Sequence, residues 1–263
     1  MIVGSIKEDL SFEKRVSITP ETAKNIINLG LKVIIENNYA THIGIPDKEY
    51  EIVGVEIKKS SKEVFNNCNL LAKVNCPSDD EISNLKDKTI LIGMLNPSKN
   101  QNKINNILKK NIDIFSLELL PRISRAQSMD VLSSQSNLAG YRSVVDSVYE
   151  FEKAIPMMMT AAGTVPAAKV LVIGAGVAGL QAIATAKRLG AIVSATDVRA
   201  ASKEQVESLG GKFLTVEQSE NLETEGGYAK EVSEDFKKKQ AEVIKDALKK
   251  NDIVICTALI PGK

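Results

Sequence analysis

Histidine and cysteine are scarce in this chain of 263 residues, and their scarcity removes several chemistries at the outset. His42 is the single imidazole, and Cys68, Cys76 and Cys256 lie far apart with no Cys-x-x-Cys among them. Neither a disulfide framework nor a metal site is expected. An excess of charge of one sign is missing too. The 34 Lys and Arg against 33 Asp and Glu leave a net charge of +1, so no global field draws in nucleic acid or an anionic membrane. The first ten residues carry Lys7, Glu8 and Asp9 and lack an apolar core behind basic residues. No secretory signal is read there, and a cytoplasmic location is the default expectation. Long hydrophobic runs are absent with one apparent exception, Ala154 to Ala186, whose one charge is Lys169. Pro156, Pro166 and four glycines interrupt that run, which reads as strand, turn and helix rather than a membrane span.

What is present is alternation. Short apolar runs at Ile2 to Val3, Lys32 to Glu36, Leu70 to Val74, Thr89 to Met94 and Ile112 to Leu117 alternate with helical segments at Glu21 to Leu29 and Ile104 to Lys110. This predicts β/α units around a mostly parallel sheet. Thr19-Pro20-Glu21 reads as a helix start, with Thr19 as the cap and Pro20 at the first helical position, and Gly30 as the stop. Asp130 to Lys153 has no proline and supplies apolar residues for a connecting helix. Lys169 to Ile173 is a buried strand, Val177 to Leu189 a helix and Ala191 to Thr196 a second strand. Ala201 to Leu209 reads as helix, Lys212 to Val216 as extended, Ser233 to Lys250 as helix and Asp252 to Cys256 as strand. The expectation is an α/β chain of two Rossmann-like domains with mostly parallel sheets, residues 1–135 and 136–263. The sequence ends directly after a strand, so the second domain is expected to be incomplete.

Gly174-Ala-Gly176-Val-Ala-Gly179 follows the predicted strand and opens the predicted helix. Alone, that spacing is weak; in this context each glycine has a task. Gly174 permits the tight turn, Gly176 lets backbone approach a pyrophosphate, and Gly179 allows close helix-to-strand packing, while the helix N-terminus offers amide donors. Asp197 ends the second strand, where a carboxylate accepts from an adenosine ribose and disfavours a 2′-phosphate, so NAD is expected over NADP. Arg199 has the charge to meet a phosphate, but is expected as a surface cation or a contact to the adenosine half.

Two further segments carry chemistry. Pro121 to Ser134 gathers Arg122, Arg125, Gln127, Asp130, Ser133 and Ser134, polar groups able to fix a nicotinamide carboxamide in one rotamer, or equally to start a helix. Glu223 to Glu231 sets Gly226, Gly227 and Tyr228 among charges, which suits either a mobile flap over a nucleotide or an ordinary exposed loop. His42 falls in a loop-like stretch and is expected to be solvent-facing or locally bonded. Oxidation of an alcohol or amine needs a positioned acid or base, whereas hydride exchange between two nicotinamides needs only orientation.

Taken together, Arg15-Val-Ser-Ile-Thr-Pro20, Arg125-Ala-Gln-Ser-Met-Asp130, Leu132 to Arg142, Gly174 to Ala191, Thr196-Asp-Val-Arg199, Glu225 to Glu231 and Thr257 to Lys263 resemble the NAD(H)-binding component of proton-translocating NAD(P) transhydrogenases. That component is similar to alanine dehydrogenase. The resemblance runs over nearly the whole chain. It implies that Arg122, Gln127, Asp130 and Ser133 hold the nicotinamide, with Arg125 and Ala126 in the same loop. Val177, Asp197, Val198 and Arg199 then contact the adenosine half, Gly227 and Tyr228 close from a mobile loop, and Leu259 lines the site. It further implies a homodimer that docks on an NADP(H)-binding domain and associates peripherally with the inner membrane through a proton-translocating membrane domain.

Alanine dehydrogenase itself is the nearest alternative. Arg15 and Lys73 stand where its carboxylate-binding pair is expected, but Asn96 stands where it places a histidine, and asparagine takes no proton near neutral pH. A non-catalytic NAD(H)-binding fragment is the remaining alternative.

Overall fold

The computed structural model describes residues 1–121, 123–199, 201–215 and 234–258. The chain divides into two compact units, Met1–Asp130 and Val131–Lys263.

In the first unit, strands β1 (Ile2–Ser5), β2 (Lys32–Glu36), β3 (Glu56–Lys58), β4 (Leu70–Asn75), β5 (Ile90–Met94) and β6 (Asp113–Ser116) form one parallel sheet in the order β3-β2-β1-β4-β5-β6. Helices α1 (Pro20–Asn28), α2 (Asp47–Ile52), α3 (Ser61–Asn67), α4 (Asp79–Asn84) and α5 (Gln101–Leu108) lie between successive strands. This is the doubly wound order, whose direction reverses between β1 and β4. Two apolar clusters make its core, one around Leu71, Leu91 and Ile107 and the other around Val33, Ile35 and Tyr50.

Local chemistry sets the helix ends. Thr19 caps α1, its Oγ1 accepting from the Thr22 amide at 3.2 Å, Pro20 takes the first helical position, and Gly30 turns the chain away at φ +81°. Ser78 and Glu81 form a reciprocal capping box on α4, the Ser78 amide donating to Glu81 Oε2 at 2.8 Å.

The second unit opens with α6 (Val131–Glu150). Residue 135, the boundary expected from the sequence, lies in the second turn of that helix. A two-stranded antiparallel ribbon follows, β7 (Met158–Thr160) with β8 (Gly163–Val165), in a stretch where the sequence pattern offers no strand pair. Then come β9 (Lys169–Ile173), α7 (Val177–Arg188), β10 (Ile192–Thr196), α8 (Ser202–Ser208), β11 (Lys212–Phe213), α9 (Glu234–Leu248) and β12 (Ile253–Cys256). The strands pair in parallel in the order β11-β10-β9-β12, again reversing direction beside the first strand of the series. Val170, Val172, Val193 and Ala195 face a core shared with Ile183, Ala186, Ile253 and Ile255, and Leu171 is buried on the other face of β9, so that strand is covered on both sides. The architecture is two Rossmann-like α/β units, with the glycine fingerprint in the second. Among the described residues no helix is long and apolar enough to cross a membrane.

Candidate dinucleotide site at the β9–α7 turn

Gly174, Gly176 and Gly179 occupy the crossover from β9 to α7, at the carboxyl end of β9 and beside the switch point between β9 and β12. Gly174 adopts φ +93°, and a Cβ there would stand 2.9 Å from the Ala258 amide nitrogen. A Cβ on Gly179 would fall 1.8 Å from the Gly174 carbonyl oxygen, so only glycine lets α7 pack this tightly on the turn. Gly176 differs. Among the described residues, the one heavy atom within 4 Å of a Cβ built there is Arg199 Nη2, at 3.9 Å. Two glycines are thus packed shut, while among the described residues the middle one is left open but for the tip of Arg199, the arrangement a pyrophosphate needs against backbone at the start of a helix. The residues present fit a dinucleotide.

The turn is held from both neighbouring strands. Just beyond β12, the Thr257 hydroxyl donates to the Gly174 carbonyl at 2.8 Å. Just beyond β10, Asp197 Oδ2 accepts from the Ala175 amide at 2.6 Å. Its Oδ1 accepts from the Arg199 amide at 2.8 Å, and the Arg199 side chain closes a two-pronged fork, Nε to Oδ1 at 2.9 Å and Nη2 to Oδ2 at 3.0 Å. Burial pushes the Asp197 carboxyl up, but the donors from Arg199 and Ala175 outweigh it and hold it below the ordinary value. Asp197 is therefore ionised at neutral pH. With 17% of its side chain exposed, Arg199 is no surface cation, which removes one of the two expectations for it. Val177 opens α7 and is exposed, and Val198 is half-buried beside Asp197.

The other expected residues lie elsewhere in the chain. Arg125, Ala126 and Gln127 sit in a 3-10 segment, Ser124–Met129, with Ala126 buried and Arg125 and Gln127 exposed. The Asp130 amide closes the segment on the Gln127 carbonyl at 3.2 Å. Ser133 stands in the first turn of α6. Arg122, Gly227, Tyr228 and Leu259 lie outside the described residues, as does the expected flap from Glu223 to Glu231. Sequence reasoning misses Thr257 and the Ala175 amide as fastenings of the turn. The signal for Thr257 is its place just beyond a strand bordering β9.

The first unit carries its own polar cluster at its β1–β4 switch point. Lys73 is 4% exposed and pairs with Glu81 at 2.9 Å and Glu8 at 3.4 Å. Burial raises the Glu8 carboxyl more than Lys73 lowers it. Arg15 grips Glu13 through Nε and Nη2 at 2.8 and 2.7 Å, and the Glu13 carboxyl is held down at about 2 chiefly by that hydrogen bond. Both cations of the alanine dehydrogenase alternative are thus already matched by carboxylates of this chain. The Asn96 backbone N–H donates to the Glu118 carboxylate, and its side-chain oxygen accepts from the Ser98 hydroxyl at 3.2 Å. His42 lies in the 3-10 turn Thr41–Ile43, and its Nε2 donates to the Lys14 carbonyl at 2.8 Å, the locally bonded role expected. Among the described residues no group of three or more His, Cys, Asp and Glu is placed to hold a metal.

Sheet order, switch point and a glycine turn closed on an acid define a doubly wound α/β protein of the dinucleotide-binding type. Residues 4–139 match the family model for the alanine dehydrogenase/PNT N-terminal domain, and residues 143–263 that for its C-terminal domain. The chain belongs to the alanine dehydrogenase/PNT family. It is 53% identical over 270 residues to the first part of NAD(P) transhydrogenase subunit alpha of Rhodospirillum rubrum, covering 100% of this chain and 70% of that protein. It is 41% identical to NAD(P) transhydrogenase subunit alpha of Haemophilus influenzae, again over its whole length but 51% of the relative's. The crystal structure of a transhydrogenase from Sinorhizobium meliloti superposes with a TM-score of 0.87 at 45% identity, over 100% of this chain and 71% of that one.

Proposed function

We propose that this chain is the NAD(H)-binding, hydride-donating component of a proton-translocating NAD(P) transhydrogenase. The observation that carries the reading is the Gly174–Gly179 turn, open at Gly176 and tied to an ionised Asp197 through the Ala175 amide. Gly174, Gly176 and Gly179 give the pyrophosphate its backbone approach, and Val177, Asp197, Val198 and Arg199 hold the adenosine half. Gln127, Asp130, Arg122 and Ser133 orient the nicotinamide, with Arg125 and Ala126 shaping the same loop, while Gly227 and Tyr228 close over the cofactor and Leu259 lines its site. When bound, NADH supplies the hydride; this chain's residues supply orientation and exclude water. The acceptor is NADP⁺ on a partner NADP(H)-binding domain, and proton translocation belongs to a partner membrane domain. The component works as a homodimer, cytoplasmic and peripherally bound to the inner membrane through those partners.

Asn96 favours this reading over amino-acid oxidation, since its amide offers no acid or base. The test is fluorescence titration with NADH, followed by assay for hydride transfer on adding an NADP-binding transhydrogenase domain. Binding without turnover, and transfer only with the partner, is the expected result. Steady alanine-dependent reduction of NAD⁺ without a partner would establish the dehydrogenase instead.

A further inference from the structure

We infer that Arg199 is a preformed receptor for a ribose 2′-phosphate, kept silent by Asp197, so that cofactor choice in this chain rests on the pair rather than on the acid alone. The inference builds on the NAD(H) reading and specifies which atoms discriminate.

An acid at the end of the second strand is usually credited with two effects: it accepts from the ribose hydroxyls and its charge repels a 2′-phosphate. Here each Asp197 oxygen already accepts two donors, Oδ1 from the Arg199 amide and Nε, Oδ2 from the Ala175 amide and Arg199 Nη2. The fork makes the pair neutral overall, and it is sheltered, with side-chain exposures of 7% for Asp197 and 17% for Arg199. Charge repulsion by a carboxylate so matched is blunted. The stronger obstacle to a phosphate is that the guanidinium's planar fork is engaged.

A guanidinium receives phosphate oxygens with the same two-pronged geometry it offers a carboxylate. Folds of this class that accept the 2′-phosphate use an arginine near this strand end. Arg199 is in that position, anchored two residues beyond the acid, with Nη2 beside the open Gly176. Loss of the Asp197 carboxylate therefore does more than weaken adenosine binding. It removes the negative charge of the pair and the carboxylate that the Arg199 Nε and Nη2 donors engage, beside Gly176. Without Arg199, the same loss would leave a neutral strand end with no gain for phosphate.

The experiment is calorimetric titration of the full chain with 5′-ADP and 2′,5′-ADP, which probe the adenosine half alone. The variants are D197S, D197N, R199Q and D197S/R199Q, each checked for native circular dichroism. The unaltered chain should prefer 5′-ADP. D197S should bind 2′,5′-ADP on the order of tenfold more tightly than the unaltered chain does, with affinity that falls as salt rises, and R199Q should abolish that gain. D197N retains an oxygen for the Ala175 amide and should show the same direction if D197S does not fold. R199Q alone, with the acid left unopposed, should weaken 2′,5′-ADP further while changing 5′-ADP less. Folded D197S or D197N chains that bind 5′-ADP but gain nothing for 2′,5′-ADP would overturn the proposal, as would a gain that survives in D197S/R199Q. An unaltered chain that binds neither nucleotide would sink the NAD(H) reading itself, and this inference with it.

Discussion

Gly140 of α6 and Ala178 of α7 meet backbone to backbone: a Cβ built on Gly140 would lie 2.1 Å from the Ala178 carbonyl oxygen. The helix that opens the second unit is thereby pressed onto the helix that carries the fingerprint. Ala178 is the residue just before Gly179, so this contact and the glycine turn share a few residues of backbone. Gly140→Ala must push α6 and α7 apart, because the obstacle is main chain and cannot rotate away. The expected cost is about 2 kcal/mol or more of stability, with weaker NADH binding, although alanine is the better helix former. Urea unfolding of the two chains checks it; equal midpoints would show that the helices separate freely.

Thr257 ties β12 to the first fingerprint glycine. Thr257→Val keeps the shape and removes the donor to the Gly174 carbonyl, at about 1 kcal/mol. The turn loosens on the side away from Asp197. NADH affinity, followed by fluorescence, is expected to fall several-fold while the fold persists.

Glu13 predicts a pH dependence. Its carboxyl is held at about 2 by Arg15, below its ordinary 4.5. A depressed acid contributes stability that is complete above the unfolded value and is lost as pH falls through the folded one. Glu13→Gln should cost about 1 to 2 kcal/mol at pH 7, the lower figure reflecting an Arg15 side chain 45% exposed and screened by water. Unfolding midpoints of the two chains should converge between pH 4.5 and 2. A difference constant over that range would remove the pair from the stability of the first unit.

Gln127→Asn shortens the reach of an exposed amide by one methylene. In the reconstituted complex it should slow hydride transfer more than it weakens NADH binding, the signature of lost orientation rather than lost affinity. Single-turnover kinetics with an NADP-binding partner domain separate the two; an unchanged transfer rate would remove Gln127 from the nicotinamide site.

Much of this is legible along the chain. Lys169–Ile173 reads as a buried strand because four of its five residues are apolar and mostly β-branched, and the Thr19-Pro20 start of α1 is written in the cap chemistry of adjacent residues. The strand β3 is not, since Glu-Ile-Lys carries no pattern of its own and is strand only because β2 offers it an edge. The ribbon β7–β8 hides inside an apolar run whose polarity does not alternate. At the site, the glycine spacing and Asp197 are readable but their fastenings are not. The Thr257–Gly174 bond joins residues 83 positions apart, and the Asp197–Arg199 fork depends on how one loop residue turns back on another.

The reversal of strand order beside β9 has a consequence in time. β9 is flanked by β10, made soon after it, and by β12, just ahead of which Asp252 receives the Lys169 amide from 83 residues further along the chain. During synthesis β9 keeps one edge bare until that distant strand emerges, because a pairing of such sequence separation cannot form before its later partner exists. A chain arrested on the ribosome ahead of Ile253 should therefore expose β9 to proteases, and one arrested well beyond Cys256 should protect it, so that the cofactor turn is among the last parts of the second unit to set.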